Sequence, residues 1–124
     1  MRLLILLLSL ASLPAFAEEL SGEAVFKSTC IECHGTGKDN APVFADKQAW
    51  KKLVQEGLND LVPAALGGIR KMPAKGGNAA LSDMEVARGV VYMANAGGGK
   101  FAAPTSENVA KRRAKADKKK RKAT

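Results

Sequence analysis

The stretch STCIECHGTGKDNAPVF, residues 28–44, holds both cysteines and the single histidine of the chain within five positions, Cys30-Ile31-Glu32-Cys33-His34. A zinc site would need a fourth ligand, and no other Cys or His exists to supply it. A structural disulfide across two residues closes so small a loop that it removes little unfolded-state entropy. A dithiol oxidoreductase carries its C-x-x-C at a strand-to-helix junction, but Gly22, Val25 and Phe26 give the residues ahead of Cys30 a helical spacing. Covalent haem attachment is the remaining chemistry, and C-x-x-C-H is its signature. Two thiols at this spacing reach the two vinyl groups on one edge of the macrocycle, and the next imidazole falls under the iron. Cys30 and Cys33 are therefore expected to hold one haem c, with His34 as its proximal ligand.

The front of the chain sets the compartment. MRLLILLLSLASLPAFA, residues 1–17, has one cation at Arg2, an apolar run from Leu3 to Leu10 and the triplet Ala15-Phe16-Ala17. This is the layout of a secretory leader, too short to span a bilayer comfortably. Cleavage after Ala17 and a bacterial periplasmic location are the expectation, which suits thiol-linked haem.

A single histidine excludes bis-histidine ligation. Of the methionines, Met1 leaves with the leader, and Met84 and Met93 lie in a helical stretch where long apolar side chains are core. Met72 lies in GGIRKMPAKGGNAA, residues 67–80, directly before Pro73, which disfavours helical backbone and puts Met72 on a loop. It can face the open side of the iron. Lys71 and Lys75 are alternatives, though a protonated amine is a poor ligand at neutral pH. If Met72 does not hold the iron, the alternative is a haem-based gas sensor or a peroxidase-like haem protein.

The rest reads as helical. Asp46 caps KQAWKKLVQE, which stops at Gly57 and shows one apolar face at Ala49, Trp50, Leu53 and Val54. Asp60 opens a short piece, LVPAALGG, in which Pro63 belongs to a first turn. Ser82 and Glu85 form a capping box ahead of Val86, Ala87, Val90, Val91 and Met93, in a helix ending near Gly97. No alternating strand pattern occurs, so the fold class is all-α, with about four short helices around the haem.

Charge divides the chain. Residues 18–110 hold ten Lys/Arg and eleven Asp/Glu, whereas KRRAKADKKKRKAT, residues 111–124, holds nine basic residues and one Asp. The expected organisation is a haem domain at 18–97, a flexible Gly/Pro-containing linker at 98–110 and a disordered basic tail at 111–124. The tail suits an acidic redox partner or anionic lipid, or serves only solubility. Export argues against nucleic acid.

These landmarks resemble a class I c-type cytochrome, most closely the bacterial cytochrome c5 group. The likeness runs from about Gly22 to Ala96, through CIECHGTG, NAPVFADKQAW, GI followed by MPAKGG, and LSDMEVARGVVYM. The resemblance implies a small cytochrome c fold, His34 and Met72 as axial ligands, and the Pro42 carbonyl on the other nitrogen of His34. Gly22 and Phe26 would pack on the last helix around Tyr92. Trp50 is core or reaches a haem propionate. Leu53 stands where many relatives have an Arg for a propionate, with Lys51 or Lys52 nearby. The implied role is one-electron carriage without enzymatic activity, as a monomer, between a quinol-oxidising complex and a terminal oxidase or periplasmic reductase.

Overall fold

The computed structural model describes residues 18–124; the expected leader lies outside the described residues. Ser21 starts the first helical run, its hydroxyl accepting the Ala24 amide at 3.1 Å. The run passes through α1 (Gly22–Val25), one widened turn (Phe26–Cys30) and α2 (Ile31–His34). In the widened turn the Ile31 amide donates to the Phe26 carbonyl, five residues back instead of four.

Asp46 opens α3 (Lys47–Glu56) by accepting the amides of Gln48 and Ala49 at 3.0 and 3.2 Å. Gly57, at φ +80°, ends it and leads straight into α4 (Leu58–Gly67). Ser82 and Glu85 form the capping box of α5 (Asp83–Ala96). The core lies where α1, α4 and α5 meet, around Val25, Val62, Leu66, Val86 and Val90. A second cluster joins Phe26, Trp50, Met93 and Ala94. The α1–α5 crossing is close because glycines face it from both sides. A Cβ on Gly22 would strike the Arg88 carbonyl oxygen, and one on Gly89 would lie 2.9 Å from Val25 Cγ1. Among the described residues there is no strand, and the architecture is all-α, as expected.

Three expectations need correction. Pro63 is not in a first turn: α4 starts at Leu58 and carries Pro63 in its interior. The carbonyl of Asn59, four residues earlier, would otherwise face an absent amide, and Lys115 Nζ donates to it at 2.8 Å. Residues 111–124 are not a disordered tail either. They belong to α6 (Ser106–Ala123), which packs on α4 and α5. Mutual repulsion is outweighed because the cations of its first half, Lys111, Arg112, Arg113 and Lys115, have partners and the helix has a docking stripe. Val109 and Ala116 are buried; Lys115 meets Asp60 at 2.9 Å and Arg113 meets Asp83 at 2.7 Å. Thr105 caps the start, Glu107 lies in the first turn and three cations in the last, all favourable to the helix dipole. The linker is also tied down, since Phe101 exchanges two hydrogen bonds with the Asn95 side chain.

Candidate functional site

His34 ends α2 and is 8% exposed. The chain turns back beneath it, the Phe44 amide donating to the His34 carbonyl at 2.7 Å. Nδ1 of His34 lies 2.9 Å from the Pro42 carbonyl oxygen. A carbonyl only accepts, so Nδ1 carries the proton and Nε2 keeps its lone pair. This is the tautomer a metal-binding imidazole requires.

Residues 42–44 are fixed from their other side. Trp50, 4% exposed, donates its indole N–H to the Val43 carbonyl at 2.9 Å. Of the two readings of Trp50, core or propionate contact, this bond and its burial favour the first: its donor is engaged, and it packs beside His34, ring centroids 6.2 Å apart. Phe44 stacks on Phe26 at 4.2 Å and on Tyr92 at 5.3 Å, with Phe26 and Tyr92 5.7 Å apart. Gly22 thus lies at the crossing with α5, and Phe26 and Tyr92 pack together around Phe44. Phe44, Val43 and Gly89 escaped the sequence reading. The position of Phe44, two residues after Pro42, was the available signal, but aromatic stacking across three segments shows only in the fold.

Cys30 and Cys33 are free thiols, both half-buried. Burial pushes the Cys30 thiol up from its ordinary value, whereas a dithiol oxidoreductase depends on a lowered one. The two apolar clusters share Cys30, Leu61 and Phe101 at their margins, all incompletely covered.

Met72 is half-buried against the core, in a tight turn in which Ile69 and Met72 exchange backbone bonds of 3.0 and 2.8 Å. The loop beyond it reaches the motif helix: Asn78 Nδ2 donates to Thr29 Oγ1, next to Cys30, at 3.1 Å. Both alternative amines point elsewhere. Lys71 is exposed near Asp39 at 3.8 Å, and Lys75 donates to the Leu81 carbonyl at 2.6 Å and pairs with Asp83 at 3.3 Å.

The residues fit a covalently held haem. Two free thiols lie within the run that ends at an imidazole with a free nitrogen, bordered by half-covered apolar side chains that a flat macrocycle would bury. Among the described residues no three Cys, His, Asp or Glu side chains gather to hold a bare metal ion, and no helix is long and apolar enough to cross a membrane.

Comparison with known proteins agrees with this chemistry. The family described as cytochrome C oxidase, cbb3-type, subunit III matches residues 17–93. Cytochrome c-555 of Chlorobaculum tepidum is 42% identical over 84 residues, covering 64% of this chain and 78% of that one. Cytochrome c5 of Azotobacter vinelandii is 43% identical over 68 residues, covering 53% of this chain and 82% of its own. A chain in a crystal structure of the electron transfer complex of nitrite reductase with cytochrome c superposes with a TM-score of 0.59 at 37% identity. It matches 61% of this chain over 93% of its own length.

Proposed function

Because the chain belongs to the class I c-type cytochromes, with relatives named cytochrome c-555 and cytochrome c5, we propose that it is a periplasmic mono-haem electron carrier. The haem supplies one-electron Fe(III)/Fe(II) exchange when bound. Cys30 and Cys33 anchor it through thioether bonds. His34 presents Nε2 to the iron, oriented by the Pro42 carbonyl, and Met72 provides the sixth ligand. The single observation that carries this reading is the His34–Pro42 contact of 2.9 Å beside two free thiols. It leaves the imidazole in the ligating tautomer at the position the attachment motif demands.

With both His34 and Met72 engaged, no position would be open to oxygen or peroxide, which suits a carrier. The Met72 thioether favours ferrous iron and raises the potential relative to two nitrogen ligands. Residues 1–17 direct export and are removed after Ala17. The donor is a quinol-oxidising complex, and the acceptor a terminal oxidase or a periplasmic reductase. The related chain in complex with nitrite reductase supports the second kind of acceptor. The carrier acts as a monomer. Its exposed cations at 118–122 steer it toward an acidic partner or anionic lipid.

The test is an optical spectrum of the holoprotein, oxidised, reduced and reduced under carbon monoxide. Low-spin spectra with the weak far-red sulfur-to-ferric-iron band, unmoved by carbon monoxide, are expected. A high-spin ferrous form that binds carbon monoxide rapidly would falsify His34/Met72 ligation and favour a gas-binding or peroxidase-like protein.

A further inference from the structure

The loop that carries Met72, residues 67–82, meets α6 near both of its ends, and α6 lies beyond the family match that stops at residue 93. At the start of the loop, a Cβ on Gly67 would sit 3.5 Å from the Cβ of Ala116. At its end, Arg113 grips Asp83 with two bonds of 2.7 Å, Nε to Oδ2 and Nη2 to Oδ1. Asp83 pairs in turn with Lys75, whose Nζ donates to the Leu81 carbonyl inside the loop. Between these attachments lies a cavity of about 280 Å³, bordered by Leu66, Ala74, Lys75, Arg113, Ala116 and Lys120. The seam is therefore not closed by continuous apolar packing; a few polar contacts hold it.

The loop needs holding. Arg70 and Lys75 both have φ above +50°, and Gly68, Gly76 and Gly77 share that sign. Side-chain-bearing residues persist in this region only where their surroundings over-determine it. The third attachment, Asn78 to Thr29, ties the loop to the motif helix and not to α6.

We infer that α6 is a brace for the sixth ligand: through Arg113–Asp83–Lys75 and the Ala116–Gly67 contact it holds the Met72 loop shut. Arg113 and Asp83 are positioning residues, acting on the iron only through Met72. The inference rests on Met72 being the axial ligand, as proposed above. A competing ligand can occupy the iron only in the fraction of molecules whose loop is open, so its apparent affinity scales with that fraction. A brace that keeps the loop shut weakens the competitor in the same proportion.

The experiment uses full-length ferric holoprotein titrated with imidazole, following loss of the far-red band, alongside amide hydrogen exchange. Arg113→Gln should tighten imidazole binding about tenfold and speed exchange in residues 67–82, while Val86 to Ala94 in α5 keep their protection. Arg113→Lys, which keeps the charge but loses the two-pronged geometry, should fall between. Asp83→Asn should follow Arg113→Gln. Lys111→Gln, which removes a cation paired only with Glu107 on the same helix, should match wild type. Unchanged imidazole affinity and unchanged loop exchange in Arg113→Gln would overturn the brace while leaving ligation intact. Faster exchange throughout α5 would overturn it too, showing a general structural role. A wild type without the far-red band would defeat the ligation reading instead, and loop exchange in Arg113→Gln would still decide whether α6 holds the loop.

Discussion

Lys115 Nζ donates to the Asn59 carbonyl at 2.8 Å, taking the place of the helical amide that Pro63 lacks. The same amine reaches Asp60 Oδ1 at 2.9 Å. A side chain from the last helix thus repairs a break in the hydrogen-bond ladder of α4. Lys115→Met keeps most of the aliphatic stem and removes the donor, at an expected cost of about 1–2 kcal/mol. Pro63→Ala restores the amide, so the same substitution should cost less in that background. A double-mutant cycle by urea unfolding measures the coupling; simple additivity would mean that Lys115 does not serve the gap.

Trp50→Phe keeps an aromatic ring in the core but leaves the Val43 carbonyl without its 2.9 Å partner. The expected loss is about 1–3 kcal/mol, seen as a lower denaturation midpoint with an unchanged slope. Trp50 would be ordinary packing alone if the midpoint held steady.

Acid should detach the α5 N-terminus. Hydrogen bonding to Arg113 holds the Asp83 carboxyl below its ordinary value, and the Leu20 and Ser82 amides do the same for Glu85. A carboxylate with a depressed folded-state pKa contributes stability that is fully present above its unfolded value. That contribution is lost as pH falls through the folded one. Stability from these two groups should be flat down to about pH 5 and decline below about pH 4. Arg113→Gln should shrink that acid decline. Urea midpoints across pH 2.5–7, values chosen to bracket ordinary carboxylate titration, would show it. An identical decline in the variant would remove Asp83 as a contributor.

The outward charge of α6 lies in Lys118, Lys119, Lys120, Arg121 and Lys122, all exposed. Arg113 and Lys115, nearer the start, are matched to carboxylates. Neutralising residues 118–122 should flatten the salt dependence of electron transfer to an acidic partner, by stopped-flow, without changing the optical spectrum. A salt slope equal to wild type would make this end a solubilising extension.

What the sequence made legible were features set by near neighbours. Asp46 caps α3 through amides two and three residues on, and Ser82 and Glu85 cap α5 across three. Gly57 stops a helix through its own backbone freedom. The haem motif is equally local. What stayed hidden depends on distant partners. Nothing near Arg113 reveals Asp83, 30 residues away, and Asp60 is 55 residues from Lys115. A charge run judged by its own repulsion reads as disorder, and the same run matched to carboxylates on two other helices folds. Pro63 misled for the same reason: its missing amide is tolerable because of a lysine in another element. For Trp50 the sequence left core burial and a propionate contact both open, and only the folded backbone shows the Val43 carbonyl that accepts its indole N–H.

The widened turn at Phe26–Cys30 is where loss of one residue is expected to be absorbed. It holds one residue more than an α-helical turn requires. Deleting exposed Lys27 would let the Ile31 amide bond Phe26 at ordinary four-residue spacing, while Gly22 and Phe26 stay against α5 and Cys30 to His34 keep their own register. Deleting Ile31 or Glu32, between the two cysteines, would instead destroy the thiol spacing that attachment demands. Expected tolerance and intolerance of a one-residue deletion thus lie side by side on one helical run, with the boundary at Cys30.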